Sequence, residues 1–322
     1  MTESVPIHDT PILGMTSRPL VPQPVEYGDP KSNNFWVEYP NGLVDLSRST
    51  HLKELKDSAE KQLDIDPSKD PGAQNILHAG SKTITPTLLP GQLEISVNGG
   101  RTVRLDTEKT AVVIIDMQNF FLHKDLRNHP KGLACVDPLM RVVPFLREKD
   151  VKILWVNWGL TTAELSTIPP SLVRGFAKHG SPRGGGFGSE LPGDFGKLLM
   201  RGEKNSELYG PLQGLYEDGR DKGTDFWIHK NRISGLWDQT LLDNFLKENG
   251  LMTLFFAGVN ADQCVLGTLI DAYFKGYDCI LIEDATATTS PDGAFESVIY
   301  NAGNSYGFVT STENVIGSKV WD

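Results

Sequence analysis

Three residues of this chain could carry out nucleophilic chemistry together: Asp116, Lys230 and Cys264. Each stands at or just past the end of a strand-length run. Ala111-Val112-Val113-Ile114-Ile115 leads into Asp116, and Thr224-Asp225-Phe226-Trp227-Ile228-His229 leads into Lys230. Leu254-Phe255-Phe256-Ala257 ends in Gly258 and passes through Val259-Asn260-Ala261-Asp262-Gln263 to Cys264. A thiolate attacks carbonyl carbon, a carboxylate can take the thiol proton, and an ammonium can hold both in register. The residues after Cys264 read as a helix. The thiol is therefore expected at a helix N-terminus, where unpaired N–H groups and the helix dipole lower its pKa. The bland alternative is an inert buried Cys beside an Asp–Lys ion pair. Buried pairs add little net stability, so a pair at a ligand-binding edge leans toward function.

The elements that must position these residues form a pattern. Strand-length runs at 111–116, 152–157, 224–230, 252–259 and 278–284 alternate with helical stretches at 138–149, 240–249, 263–275 and 292–302, and Gly307-Phe308-Val309 starts a sixth strand. The first, Ala111–Asp116, is continuously apolar up to its carboxylate rather than alternating, which implies a strand buried on both faces. The expected fold is α/β, a three-layer α/β/α sandwich with a mostly parallel, Rossmann-like sheet. Ligands in such sheets bind outside the C-terminal strand ends, where all three residues fall. This main domain is expected over 106–322. Residues 1–105 read as an N-terminal extended arm rich in proline (Pro19, Pro22, Pro24, Pro30, Pro40), a short helix from Thr50 with Leu52, Leu55, Ala59 and Leu63 on one side, and a β-hairpin over Gln92–Leu105 turning at Asn98-Gly99-Gly100. Phe35, Trp36 and Tyr39 would be odd in a free tail, so the arm is expected to lay them on the body or on a partner subunit.

Composition narrows the function classes. A chain of 322 residues with 39% hydrophobic residues can bury a real core. The net charge of −10 argues against nucleic acid or an anionic membrane as partner. Three widely spaced cysteines imply no disulfide framework and fit a reducing, cytoplasmic setting. The start, Met1-Thr2-Glu3-Ser4-Val5-Pro6, has no basic or apolar leader pattern, and no run reaches membrane-spanning length.

Val113-Ile114-Ile115-Asp116-Met117-Gln118-Asn119, His229-Lys230-Asn231-Arg232-Ile233-Ser234-Gly235, Gly258-Val259-Asn260-Ala261-Asp262-Gln263-Cys264-Val265 and Glu283-Asp284-Ala285-Thr286 occur in order on the expected strands. Together they resemble the isochorismatase-like cysteine hydrolases, a family that includes nicotinamidases, N-carbamoylsarcosine amidohydrolases and ureidoacrylate amidohydrolases. The resemblance covers roughly residues 108–315. It implies a catalytic triad of Asp116, Lys230 and Cys264, a cis peptide between Val259 and Asn260, and an oxyanion hole formed by the N–H groups of Asn260 and Cys264. Members are commonly oligomeric, so a homo-oligomer is expected. Two departures narrow the branch. The nicotinamidases' Asp-x-His metal motif is replaced by Asn157-Trp158-Gly159, so no metal site and no cofactor are expected. Some isochorismatases proper, which split a vinyl ether, lack the Cys that is present here. The segment around Asn157 and Trp158 looks more like the ureidoacrylate and carbamoyl-amide branch.

The resulting expectation is an amidohydrolase that cleaves the C–N bond of a small linear amide or carbamoyl compound through a thioester. The alternatives are vinyl-ether hydrolysis or a non-catalytic binding protein. Substrate-side candidates are Gln118, Asn119, Phe121, Asn157, Trp158, Arg232 and Trp237. For Gln118 and Asn119 the alternative is hydrogen bonding within their loop, and for Phe121, Trp158 and Trp237 ordinary core packing. Arg232 could clamp a substrate carboxylate or pair with a surface acid. His229 precedes Lys230 on a strand, points to the opposite face and reads as structural. His123 offers a less favoured Cys–His dyad. The glycine cluster at 184–188 lacks the Lys and Ser/Thr of a phosphate loop and suits a flexible lid. Cys135 and Cys279 read as non-catalytic.

Overall fold

The computed structural model describes residues 18–49, 51–52, 85–177, 185–238 and 240–321. It divides into two compact units, Met1–Asp106 with Ser318–Asp322, and Thr107–Gly317.

In the first unit the prolines punctuate strands. β1 (Val25–Asp29) and β2 (Asn34–Glu38) pair antiparallel around the Pro30–Ser32 turn, and β3 (Leu43–Asp45) follows Pro40. Residues expected as an extended arm are therefore sheet. The reason is the alternation Phe35, Val37, Tyr39, which buries these side chains with Leu43 in a small core of the same unit. Leu55, Ala59 and Leu63 of the expected short helix lie outside the described residues. β4 (Gln92–Val97) and β5 (Arg101–Asp106) form the hairpin, with Leu93 opposite Leu105 and Ile95 opposite Val103.

The second unit holds β6 (Thr110–Ile115), β7 (Lys152–Trp158), β8 (Asp225–Lys230), β9 (Thr253–Val259), β10 (Asp278–Ala287) and β11 (Gly307–Thr310). All pair in parallel, in the order β11-β10-β9-β6-β7-β8. The chain then returns to the first unit, where β12 (Lys319–Val320) pairs with β4. That sheet runs β1-β2-β3-β5-β4-β12.

Helices flank the parallel sheet on both faces. Val113, Ile115, Leu154, Val156, Phe256 and Leu281 share one core with Leu242 and Leu246 of helix Leu241–Glu248, Leu269 and Ala272 of helix Leu266–Phe274, and Val298 of helix Ala294–Asn301. Trp155 points the other way. It meets Tyr216 of helix Pro211–Lys222 and donates its Nε1–H to Asp225, which also pairs with Arg147 of helix Val136–Glu148 at 2.6 Å. No helix among the described residues is long and apolar enough to cross a membrane.

β6 lies at the point where the winding direction reverses, since later strands add first beside β7 and then beside β9. The crevice of an open α/β sheet forms there, at the C-terminal strand ends. Gly258 lets β9 press against β6 at this edge. It has φ +112°, and a Cβ added to it would lie 2.0 Å from the Ile115 carbonyl oxygen. Gly258→Ala should therefore destabilise the fold by more than about 3 kcal/mol, combining backbone strain with a backbone clash. Denaturant unfolding checks this, and a loss below about 1 kcal/mol would contradict it.

Candidate active site

Asp116 is the residue after β6. Its φ is +55°, a left-handed conformation that aspartate tolerates better than most residues. The carboxylate is fully buried, and Oδ1 accepts from the Trp158 backbone N–H at 3.3 Å. Lys230 closes β8, and its Nζ lies 2.9 Å from Asp116 Oδ2 and 3.5 Å from Cys264 Sγ. Nζ also donates to the carbonyls of Arg232 at 3.1 Å and Ile233 at 3.2 Å. The indole of Trp158 covers it, 4.0 Å from the ring centroid. Three separate strand ends thus deliver a carboxylate, an ammonium and a thiol to one buried spot.

Cys264 differs from the expected helix N-terminus. It lies inside a wide helical turn, Ala261–Val265, that precedes helix Leu266–Phe274. Burial pushes its thiol up, to about 12; Lys230 opposes this, and Asp116 adds to it. The thiol is therefore not lowered by its position. Desolvation of a buried sulfur outweighs the ends of a few N–H dipoles. Burial also raises the pKa of Asp116, against the Lys230 charge, the Cys264 thiol and the Trp158 N–H. Burial thus works against the charged form of both groups, and Lys230 lies against each of them.

The Val259–Asn260 peptide is cis. The Asn260 side chain is fixed by His129, which sequence reasoning missed. His129 Nδ1 accepts from the Gly132 backbone N–H at 2.9 Å, so its proton sits on Nε2 and is donated to Asn260 Oδ1 at 2.9 Å. His129 is buried, and burial holds its pKa below the ordinary histidine value. Only the residue's place in the loop after Asp116 hinted at it.

The other candidates divide. Trp158 is fully buried against Lys230, with Phe176 and Phe187 on its other sides at centroid distances of 5.3 Å and 5.1 Å. Phe187, from the glycine-rich segment, thus packs on the indole that covers Lys230. Phe121 packs edge-on against Phe120. Gln118 is engaged within the fold: its amide donates to the carbonyls of Trp158 and Ser206 at 2.8 Å and 2.7 Å and accepts from the Trp158 N–H at 3.1 Å. Asn119 donates to the Lys204 carbonyl at 2.8 Å. Asn157 is fully buried on the face opposite Trp158, with no partner for its amide among the described residues. Arg232 donates to the carbonyls of Asn231 and Thr167, both at 2.7 Å, and lies over Trp237 at 4.5 Å. Trp237 in turn donates to Asn231 at 3.1 Å. Arg232 and Trp237 line a cavity of about 630 Å³ with Pro169, Leu172 and Ile233. Ile233 ties this cavity to Lys230 through its carbonyl.

His123 is directed elsewhere, toward Asp125, Phe195 and Tyr209. His229 points away from Lys230, accepting from Trp227 Nε1 at 3.2 Å, and burial lowers its pKa to about 4. Its ring fills the space beside Gly159, where an added Cβ would lie 2.1 Å from Nδ1. Among the described residues no group of three or more His, Cys, Asp or Glu is arranged to hold a metal ion.

The isochorismatase domain model matches residues 110–314, the stretch that carries the parallel sheet and all three strand-end residues. The chain belongs to the isochorismatase family. A ureidoacrylate amidohydrolase RutB from Caulobacter segnis is 27% identical over 244 residues, covering 74% of this chain and 96% of the relative. Among solved structures, a cysteine hydrolase from Pseudomonas syringae pv. phaseolicola superposes with a TM-score of 0.53 at 18% identity, covering 72% of this chain and 96% of the other. A nicotinamidase/pyrazinamidase PncA from Bacillus subtilis gives 0.50 at 22% identity, covering 63% and 100%. These likenesses show the family fold.

Proposed function

We propose that the chain is a cysteine-dependent hydrolase that cleaves the C–N bond of a small linear amide or carbamoyl compound through a thioester. The observation that carries this reading is the Lys230 ammonium lying within 2.9 Å of the Asp116 carboxylate and 3.5 Å of the Cys264 sulfur in a buried site. Relatives named as ureidoacrylate amidohydrolases support an amide as the bond broken.

A thiol raised by burial does not ionise alone. Asp116 takes the Cys264 proton as sulfur bonds to the carbonyl carbon and the C=O π pair moves to oxygen. The N–H groups of Asn260 and Cys264 receive that oxyanion, with His129 steadying Asn260. The pair returns, the C–N bond breaks, and Asp116 gives the proton to the departing nitrogen. Water, deprotonated by Asp116, then attacks the thioester, and the sulfur leaves and is reprotonated. Lys230 balances the negative charge through both halves.

Ammonia release screened across small amides, ureas and carbamoyl acids tests the reading; turnover of none of them would overturn it. A chelator should leave that activity unchanged, because the nicotinamidases' Asp-x-His pair is absent and the His229 ring occupies the room beside Gly159. Activity lost to EDTA and restored by zinc would contradict this.

A further inference from the structure

His129 opens the short helix Pro130–Leu133, where its Nδ1 accepts from the Gly132 backbone N–H at 2.9 Å. A cap alone does not call for histidine. Serine, threonine, aspartate and asparagine are the favoured caps, and none of them carries a second donor that reaches as far. The imidazole has one, and it is used. Nε2 lies 2.9 Å from Asn260 Oδ1, across 131 residues of sequence, and the residue is only 2% exposed. The ring is seated closely on the helix start: a Cβ added to Gly132 would lie 2.9 Å from Nδ1 and Cε1. One rigid ring thus ties the loop after Asp116 to the loop before Cys264.

Asn260 is held on two sides. Its carbonyl accepts from the N–H groups of Gln263 at 3.1 Å and Val265 at 3.2 Å, which fixes it to the turn that carries Cys264. Its side chain is held by His129. Its own backbone N–H has no hydrogen-bond partner among the described residues. The direction of that N–H therefore follows from the two holds. With the side chain released, the residue can turn about the remaining one. A donor stabilises a developing oxyanion fully only when it is aimed before the charge appears.

We infer that His129 is a positioning residue: as the neutral Nε2–H tautomer it fixes the Asn260 side chain and so aims the Asn260 N–H at the oxyanion. This deepens the amide-hydrolase reading and rests on it. The contribution of His129 belongs to the moment when negative charge develops on a carbonyl oxygen. Other reactions of the same sulfur do not draw on it.

Two reagents for one thiol test this. Propionaldehyde adds to Cys264: the sulfur bonds to the carbonyl carbon, the thiol proton passes to Asp116 and the C=O π pair moves to oxygen. Methyl methanethiosulfonate transfers its S-methyl group to the same sulfur as methanesulfinate departs, and no oxyanion forms on carbon. Carbon-13 NMR with carbonyl-labelled propionaldehyde gives the dissociation constant of the adduct, and Cys264→Ala identifies its signal. His129→Ala should weaken the adduct at least about tenfold, a part of the roughly 100-fold that one aimed donor supplies, and leave the methanethiosulfonate rate within about twofold. His129→Gln keeps a donor for Asn260 and should recover most of the loss, whereas His129→Asn keeps only the cap and should recover none. Circular dichroism melts establish that each variant is folded. An adduct indifferent to His129→Ala, a parallel fall in both reactions, or a recovery that Gln does not give or that Asn gives equally would overturn the inference and leave the hydrolase reading standing. No adduct on the unsubstituted protein would count against Cys264 as the nucleophile and overturn both.

Discussion

Cys264→Ser should lower kcat on any amide the protein turns over by at least about 10,000-fold, while leaving the melting temperature close to that of the parent. A nucleophile acting as one unit with its base typically carries several orders of magnitude. The expected loss is large here because the site supplies no base stronger than a carboxylate. Asp116, even with its pKa raised by burial, is far too weak to ionise a serine hydroxyl, whereas a thiol can pass its proton during attack. The change from sulfur to oxygen is nearly isosteric, and Cys264 is only 4% exposed within a packed turn, so the fold should tolerate it. Residual turnover above about 1% in verified mutant protein, on the scale of such deletions, would remove Cys264 from the nucleophile's role.

Lys230→Ala should reduce kcat by at least about 100-fold, the lower range for a general base, and move the acid limb of the pH–rate profile to higher pH. Asp116 must be ionised to accept the thiol proton. Burial raises its pKa and the Lys230 charge lowers it. Removing the ammonium leaves only the Cys264 thiol and the Trp158 N–H to oppose burial, so the fraction of ionised Asp116 at a given pH falls. The same ammonium favours the thiolate of Cys264, so proton transfer is disfavoured at both ends. A buried carboxylate that loses its partner also destabilises the fold, by about 3–5 kcal/mol; melting temperatures therefore accompany the kinetics, and Lys230→Arg provides a charged comparison. An unchanged kcat with an unmoved acid limb would reduce Lys230 to a structural charge.

The strands that build the site were legible because their chemistry is local. Ala111–Ile115 and Leu254–Ala257 are continuously apolar, and that pattern fits a strand covered on both faces. Asp116, Lys230 and Cys264 stood out because each ends or follows a strand-length run, continuously apolar before Asp116 and Cys264 and mixed before Lys230, and parallel strands bring their C-terminal ends to one edge. What depended on partners distant in sequence was not legible. Arg232 was open between clamping a substrate and a surface role, and its fate is set by the Thr167 carbonyl, 65 residues away. Gln118 engages Ser206 across 88 residues. The thiol's environment was misjudged because a helix start is visible in sequence, whereas depth of burial is not. Residues 1 to about 48 read as an arm because the stretch is rich in proline and polar residues, while the short alternation that buries Phe35, Val37 and Tyr39 lies between Pro30 and Pro40.

The position of β12 couples the folding of the two units. It returns to β4 only after the chain has traversed Thr107–Gly317. Closing a flexible loop of roughly 200 residues costs about 5 kcal/mol in chain entropy, more than a strand of two residues can recover. β12 can dock stably only when the intervening unit is already folded and holds its two ends in place. Partial melting of the parallel sheet should therefore release a strand from the other sheet as well. Native-state hydrogen exchange would reveal this as shared opening of the Glu94 and Lys319 amides with the strands of the second unit.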